Sequence, residues 1–308
     1  MGSVETRMLT RTHEDGEIEV PVIEITGGPG PTLTIIAGLH GCEYAGIEAA
    51  RRLVVEVSPD SLRGRLRVVP LANLPAFYGH TEWYIAIDGK NPNRVFPGSP
   101  DGTYSESLAD LITNEVLKGS DAVLDTHGGD IFEALVPYSA LTAETGSEVD
   151  RQSAELAHVY DLPFILRGKP RAQGVTQGPL RQAAIDLGIA AVLHESGGQA
   201  LLVEEDILTH VRGMRNTLRH LGMIDGEPDL RHHPKELTGG FWTVATKGLW
   251  YPEVDLFDHV TQGARVGVVR DVFGEEVEVI TAAQDAWIIA IVTSLSCKPD
   301  GIVLQVAY

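Results

Sequence analysis

From about residue 17 to residue 222, apolar runs of strand length alternate with stretches whose apolar residues recur at spacings of three and four. The runs EIEVPVIEIT (17–26), TLTIIAG (32–38), GRLRVVPLAN (64–73), DAVLDT (121–126) and IAAVLHE (189–195) have the length and β-branched content of strands. Residues 43–57, 104–117, 148–160 and 201–221 carry the helical period. Gly27, Gly28, Pro29 and Gly30 predict a turn between the first two runs, because the cluster lacks the lysine and spacing of a phosphate loop. Strands alternating with helices predict a mostly parallel mixed sheet covered on both faces.

After the polar stretch 225–240 the pattern changes to short β-type runs at 242–246, 263–269, 275–280, 287–292 and 301–307, with no helical period. The expected fold is α/β, a mostly parallel mixed sheet flanked by helices over residues 1–235, with a small all-β domain over 236–308. His232 and His233 fall in the connecting stretch and read as solvated linker. Trp250 and Tyr251, beside Pro252, are expected on a loop that either faces a cleft or is buried between the domains.

Composition narrows the class. A chain of 308 residues buries a full core. No apolar run approaches the roughly 20 residues that span a bilayer, and the first 17 residues lack a signal core, so no membrane association and a cytoplasmic location are expected. Forty-three acidic residues against 24 basic ones give a net charge of -19, which repels a phosphate backbone and argues against nucleic acid as a partner. Cys42 and Cys297 are too few and too far apart for a disulfide framework and read as free thiols.

Three of the strand-like runs lead into metal-ligand residue types. His40 and Glu43 follow TLTIIAGL, His127 follows DAVLDT, and Glu195 closes IAAVLHE. Open α/β sheets place ligands at the carboxyl edge, and two histidines with one carboxylate leave a position open on four-coordinate zinc. HxxE alone is a weak signal; the combination of His40, Glu43 and His127 at two strand ends beside glycines favours a metal centre, one zinc per chain. Glu195 then either takes the proton of an activated water or caps the next helix. His194 alternates with it, so one of the two points into the site and the other into packing. In Asp88–Gly98, Asn93 and Arg94 form either a clamp for a carboxylate or part of a surface turn.

The segments His40-Gly-Cys-Glu43-Tyr-Ala-Gly, Asn93-Arg94-Val-Phe-Pro-Gly, Asp125-Thr-His127-Gly-Gly and His194-Glu195-Ser-Gly-Gly resemble, in order and spacing, the succinylglutamate desuccinylase/aspartoacylase family, relatives of the zinc carboxypeptidases. The resemblance covers nearly the whole chain. It implies a zinc-carboxypeptidase-like fold and zinc-dependent removal of an acyl group from a small N-acyl amino acid or related amine. It further implies His40, Glu43 and His127 as ligands, Glu195 as general base and acid, and Asn93 with Arg94 as the carboxylate clamp. The tail GLWYPEVDLFDHVTQGARVGVVRD is similar to that of a bacterial branch that includes N-acetyl-diaminobutanoate deacetylases. It also resembles biotinyl and lipoyl carrier domains but has no lysine between Lys247 and Lys298, so a lid or interface domain is expected.

Two departures stand out. An arginine that many relatives carry before the Asn-Arg pair is missing from Trp83-Tyr84-Ile85-Ala86-Ile87, with Arg167 and Arg171 as candidate replacements. Cys42 stands where relatives usually have Asn or Asp, and reads as a small packed side chain. The alternatives to a deacylase are a metallocarboxypeptidase acting on short peptides and a catalytically impaired zinc-binding protein. The partner is a small-molecule substrate, and a homo-oligomer is compatible with the sequence.

Overall fold

The apolar runs that end in polar residues become the central strands of one mixed sheet. The computed structural model describes every residue except Met1, Arg171 and Gln173. A hairpin of β1 (Ser3–His13) and β2 (Gly16–Thr26) leads into β3 (Gly28–Ala37), α1 (Tyr44–Glu56), β4 (Arg63–Val69) and α2 (Leu74–Gly79). Then come α3 (Tyr104–Ile112), β5 (Ala122–His127), β6 (Glu133–Leu135), β7 (Tyr138–Leu141) and α4 (Glu148–Tyr160). They are followed by β8 (Phe164–Arg167), α5 (Leu180–Asp186), β9 (Ala190–Glu195) and α6 (Glu204–His220). The remaining strands are β10 (Lys235–Thr243), β11 (Gly248–Pro252), β12 (His259–Val260), β13 (Arg265–Arg270), β14 (Glu276–Thr281), β15 (Ala286–Val292), β16 (Ser296–Cys297) and β17 (Ile302–Ala307).

The large sheet runs β1-β2-β4-β3-β5-β9-β7-β8-β10-β17-β15-β12, with β6 paired to β15. At its centre β4, β3, β5 and β9 are parallel. Their side chains alternate between two cores, as the pleat requires. Leu124 and Val192 pack with Leu53 of α1, Leu156 of α4 and Val211 of α6. Val123 and Ala191 pack with Leu108 of α3 and Leu180 of α5 on the opposite face. The helix at 148–160 forms where its period predicts it, and a capping box fixes its start: Ser147 Oγ accepts from Asp150 N at 3.1 Å and Asp150 Oδ2 accepts from Ser147 N at 3.2 Å. Residues 113–117, expected to continue α3, instead form a wider π-type turn.

Other segments differ from the sequence reading as well: Gly28 and Gly30, read as a turn, lie within β3, and α2, β6, β7, β8 and α5 were not anticipated. Residues 3–13 form a full strand although both of its faces are polar. Residues 235–240, read as part of a polar connection, open β10, which pairs in parallel with β8 and so joins the later strands to the large sheet. Trp250 is neither on a loop nor in a cleft. It lies on β11 in a second antiparallel sheet, β14-β13-β11-β16, and is buried with Val266 and Val269 in a core that this sheet shares with Ile288 of β15 and Leu304 of β17. No helix is long and apolar enough to cross a membrane among the described residues.

A close approach beneath the sheet gives a stability prediction. Gly213 of α6 lies under the ring of Tyr160, and a Cβ there would sit 2.3 Å from Cδ1 and Cε1. The ring cannot retreat, because its other face stacks on His194 at a centroid distance of 3.4 Å. Gly213→Ala is therefore expected to destabilise the fold by about 1–3 kcal/mol despite the better helix propensity of alanine. Urea unfolding would show it as a lower midpoint, and an unchanged midpoint would mean that Tyr160 moves freely.

Candidate metal centre and cavity

The parallel register sets the site. His127 ends β5 and pairs with Glu195 at the end of β9, while β3 pairs with β5 as far as Ala37 and Thr126. The chain beyond β3 then turns through His40 into Glu43, which immediately precedes α1. The strand ends thus bring His40, Glu43 and His127 together at the carboxyl edge, with ligand atoms within 4.8 Å of one another. Glu43 Oε1 lies 2.6 Å from His40 Nδ1 and Oε2 lies 2.8 Å from His127 Nδ1.

The outer nitrogens of both rings are held by acceptors. Asn91 Oδ1 accepts from Asn93 N at 2.7 Å, which identifies that atom as the amide oxygen, and it lies 3.1 Å from His40 Nε2. Asp125 Oδ1 lies 2.9 Å from His127 Nε2. His127 Nε2 also lies 3.2 Å from the Asn93 NH2, and both imidazoles turn Nδ1 toward Glu43, the arrangement that outer partners impose on ligating histidines. Two imidazole nitrogens and a carboxylate suit zinc as a donor set.

The charges agree with a site built for a cation. Burial works against ionisation of Glu43, but His40 and His127 hold its carboxyl at about 2. Burial also opposes a charged His127, yet Asp125 and Glu43 raise it well above the usual imidazole range, so a proton is held where a metal would compete. The Cys42 thiol is pushed up, first by burial and then by Glu43, and donates to Asp130 Oδ1 at 3.0 Å. It is a packed, protonated side chain.

A cavity of about 600 Å³ opens beside these residues and is lined by His40, His127, Glu195, Asn93, Arg94 and Arg181 among others. Leu193 and Glu195 face it, whereas His194 points the other way, onto Tyr160 and to Ser139 Oγ at 3.0 Å. Burial, followed by the charge of Glu43, pushes the Glu195 carboxyl well above the usual range, and its Oε2 has no partner among the described residues. Asn93 Oδ1 accepts from Leu180 N at 2.8 Å, which turns the NH2 toward His127. Arg94 Nη1 donates to Asn93 O at 2.9 Å. Gly239, Gly240, Phe241 and Gln305 form a wall contributed by β10 and β17.

Of the candidates for the missing arginine, Arg167 lines the cavity but is paired with Glu236 at 2.8 Å. Arg171 lies outside the described residues. The sequence reading missed Arg181, in the first turn of α5, whose buried Nε has no hydrogen-bond partner among the described residues. Burial lowers its pKa and the charge of Asp125 partly restores it.

Fold and site together define a protein with a buried His-Glu-His cluster that could hold a metal ion at the carboxyl edge of a mixed sheet, beside a cavity lined by Arg94, Arg167 and Arg181. Residues 29–221 match the succinylglutamate desuccinylase/aspartoacylase catalytic domain, and the chain belongs to that family. Its relatives include the N-alpha-acetyl-L-2,4-diaminobutyric acid deacetylase of Halomonas elongata, 31% identical over 83% of this chain and 75% of that protein. Among solved structures it is similar to the product-bound ectoine utilization protein EutE (DoeB) of Ruegeria pomeroyi, with a TM-score of 0.90 and 26% identity over 99% of this chain and 95% of that one. A succinylglutamate desuccinylase from Silicibacter sp. aligns with a TM-score of 0.86 and 25% identity, over 100% of this chain and 95% of the other.

Proposed function

We propose that the protein is a zinc-dependent deacylase that hydrolyses the amide bond of a small N-acyl amino acid. The observation that carries this reading is the convergence of His40 Nδ1, His127 Nδ1 and the Glu43 carboxylate beside a cavity that also presents Glu195 and Arg94. Family membership and the deacetylase relative support it. Zinc held by His40, Glu43 and His127 would lower the pKa of a bound water to about 7 and polarise the acyl carbonyl.

The other tasks fall to this chain's own side chains. Glu195 takes a proton from the attacking water and delivers it to the leaving amine, so that one water is consumed and a carboxylic acid and an amine are released. Burial raises its pKa above the usual carboxyl range, the direction that favours holding a proton and delivering it to a leaving group. Arg94 grips the carboxylate of the amino acid, with the Asn93 amide beside it. Arg181 supplies the second guanidinium of the cavity and stands in for the missing family arginine. The wall of β10 and β17 residues limits the cavity to small substrates, the role expected of a lid.

The reading is tested by assaying protein of known zinc content against N-acetyl, N-succinyl and N-formyl amino acids, including Nα-acetyl-diaminobutyrate, with dipeptides as controls. Turnover of dipeptides alone would replace it with a carboxypeptidase. Arg94→Ala is expected to raise KM by about 10-fold or more while changing kcat less, because the clamp holds ground state and transition state alike. A loss confined to kcat would show that Arg94 acts on the reacting carbonyl instead.

A further inference from the structure

We propose that the protein pairs with a second copy of itself through the free edge of β1, in an antiparallel register centred on Thr6. β1 is an end strand of the large sheet and pairs only with β2 among the described residues. Edge strands are normally blunted by proline, lysine, bulges or a covering element. This strand, SVETRMLTRTH, contains no proline or lysine, and its 11-residue register with β2 runs without a shift.

The backbone parity is right for addition of another strand. His13 and Gly16 close a two-residue loop, so theirs is a hydrogen-bonded pair, and the odd-numbered residues of β1 bond inward to β2. The N–H and C=O groups of Val4, Thr6, Met8 and Thr10 then point outward. Pro21, which has no N–H, lies opposite Met8, at a non-bonded position as this parity requires.

The side chains are self-complementary about Thr6. An antiparallel copy sets Val4 against Met8 of the second copy on one face, and these are 53% and 48% exposed in the single chain. On the other face it sets Glu5 against Arg7 of the second copy, twice over by symmetry. Neither Glu5 nor Arg7 forms a hydrogen bond or ion pair among the described residues. The neighbour of Glu5 on β2 is Glu24, a like charge paired with Arg67 at 2.7 Å and also within the field of Arg65 and Arg7, so a cation placed directly opposite Glu5 by a second copy would offset the repulsion between the two glutamates. Opposite charges directly across a strand pair stabilise it and like charges oppose it. A register centred on Met8 would instead face Glu5 with Arg11, whose guanidinium is taken by Ser107 O at 3.0 Å and Asp110 at 2.8 Å. The strip is locally neutral, which lets two chains of net charge -19 meet there.

β2, β4 and β3 separate β1 from β5 and the cavity, so activity serves as the folding control. Sedimentation velocity at tens of micromolar is expected to show a dimer. Glu5→Arg and Arg7→Glu, each alone, replace two attractive pairs by two repulsive ones and should raise the dimer dissociation constant by at least about tenfold. The double variant Glu5→Arg/Arg7→Glu restores both pairs and should restore the dimer. Thr6→Pro removes an outward N–H and should give a monomer with unchanged kcat. A wild-type monomer at these concentrations would overturn the proposal. So would dimers indifferent to either single reversal, or a double variant that fails to recover.

Discussion

Glu195→Gln is expected to retain its zinc and lose roughly 100-fold or more in kcat, the loss typical when a positioned acid-base group is removed. The replacement is nearly isosteric, and the glutamate makes none of the contacts that set the proposed ligands: Glu43 faces both Nδ1 atoms, and Asn91 and Asp125 hold the outer nitrogens. The change also removes a carboxyl that burial disfavours as an anion, so the folded protein should be no less stable. Metal analysis beside kcat separates the roles. A variant that keeps both zinc and near-normal turnover would place the acid-base group elsewhere, and Glu133, whose carboxyl is pushed up to about 7 chiefly by burial, would be the next candidate.

The central strands and the convergence of His40, Glu43 and His127 were legible because each rests on a local pattern. An apolar run that stops at His127 or Glu195 has one reading as a buried strand, and the parallel register then makes those two residues neighbours. Asp125 was within reach of the same logic, since residues two apart on a strand share a face, and it contacts His127. What escaped depends on pairing at a distance. Residues 3–13 have no apolar face and become a strand only because β2 offers eleven partners. Residues 235–240, polar and glycine-bearing, are ordered by the edge of β8. Arg181 carries no motif, and its place in the cavity follows from the Phe96–Gly178 bridge and the Asn93–Leu180 hydrogen bond, which dock the start of α5 onto the Asn93 loop. These contacts join residues more than 80 positions apart, a separation that no window of sequence reports.

His127→Ala is expected to reduce zinc content from about one per chain to a small fraction of that, since only two of three ligands would remain. Asp125→Asn makes the graded comparison. It keeps an acceptor near Nε2 but removes the charge, and should weaken zinc by the roughly 10–100-fold associated with an outer partner, well short of the loss on deleting the ligand. Because Asp125 is fully buried, His127→Ala also strands a carboxylate and should lower thermal stability, so zinc affinity must be measured by chelator competition on protein shown to be folded. The pH dependence has a definite sign. In the metal-free protein the raised pKa of His127 means that a proton occupies the nitrogen facing Glu43, and zinc must displace it. Affinity should therefore fall as pH falls, and removal of the metal by a chelator should abolish turnover until zinc is restored. If His127→Ala bound zinc as tightly as the parent, and equally across pH, the centre formed by His40, Glu43 and His127 would not be where the metal sits.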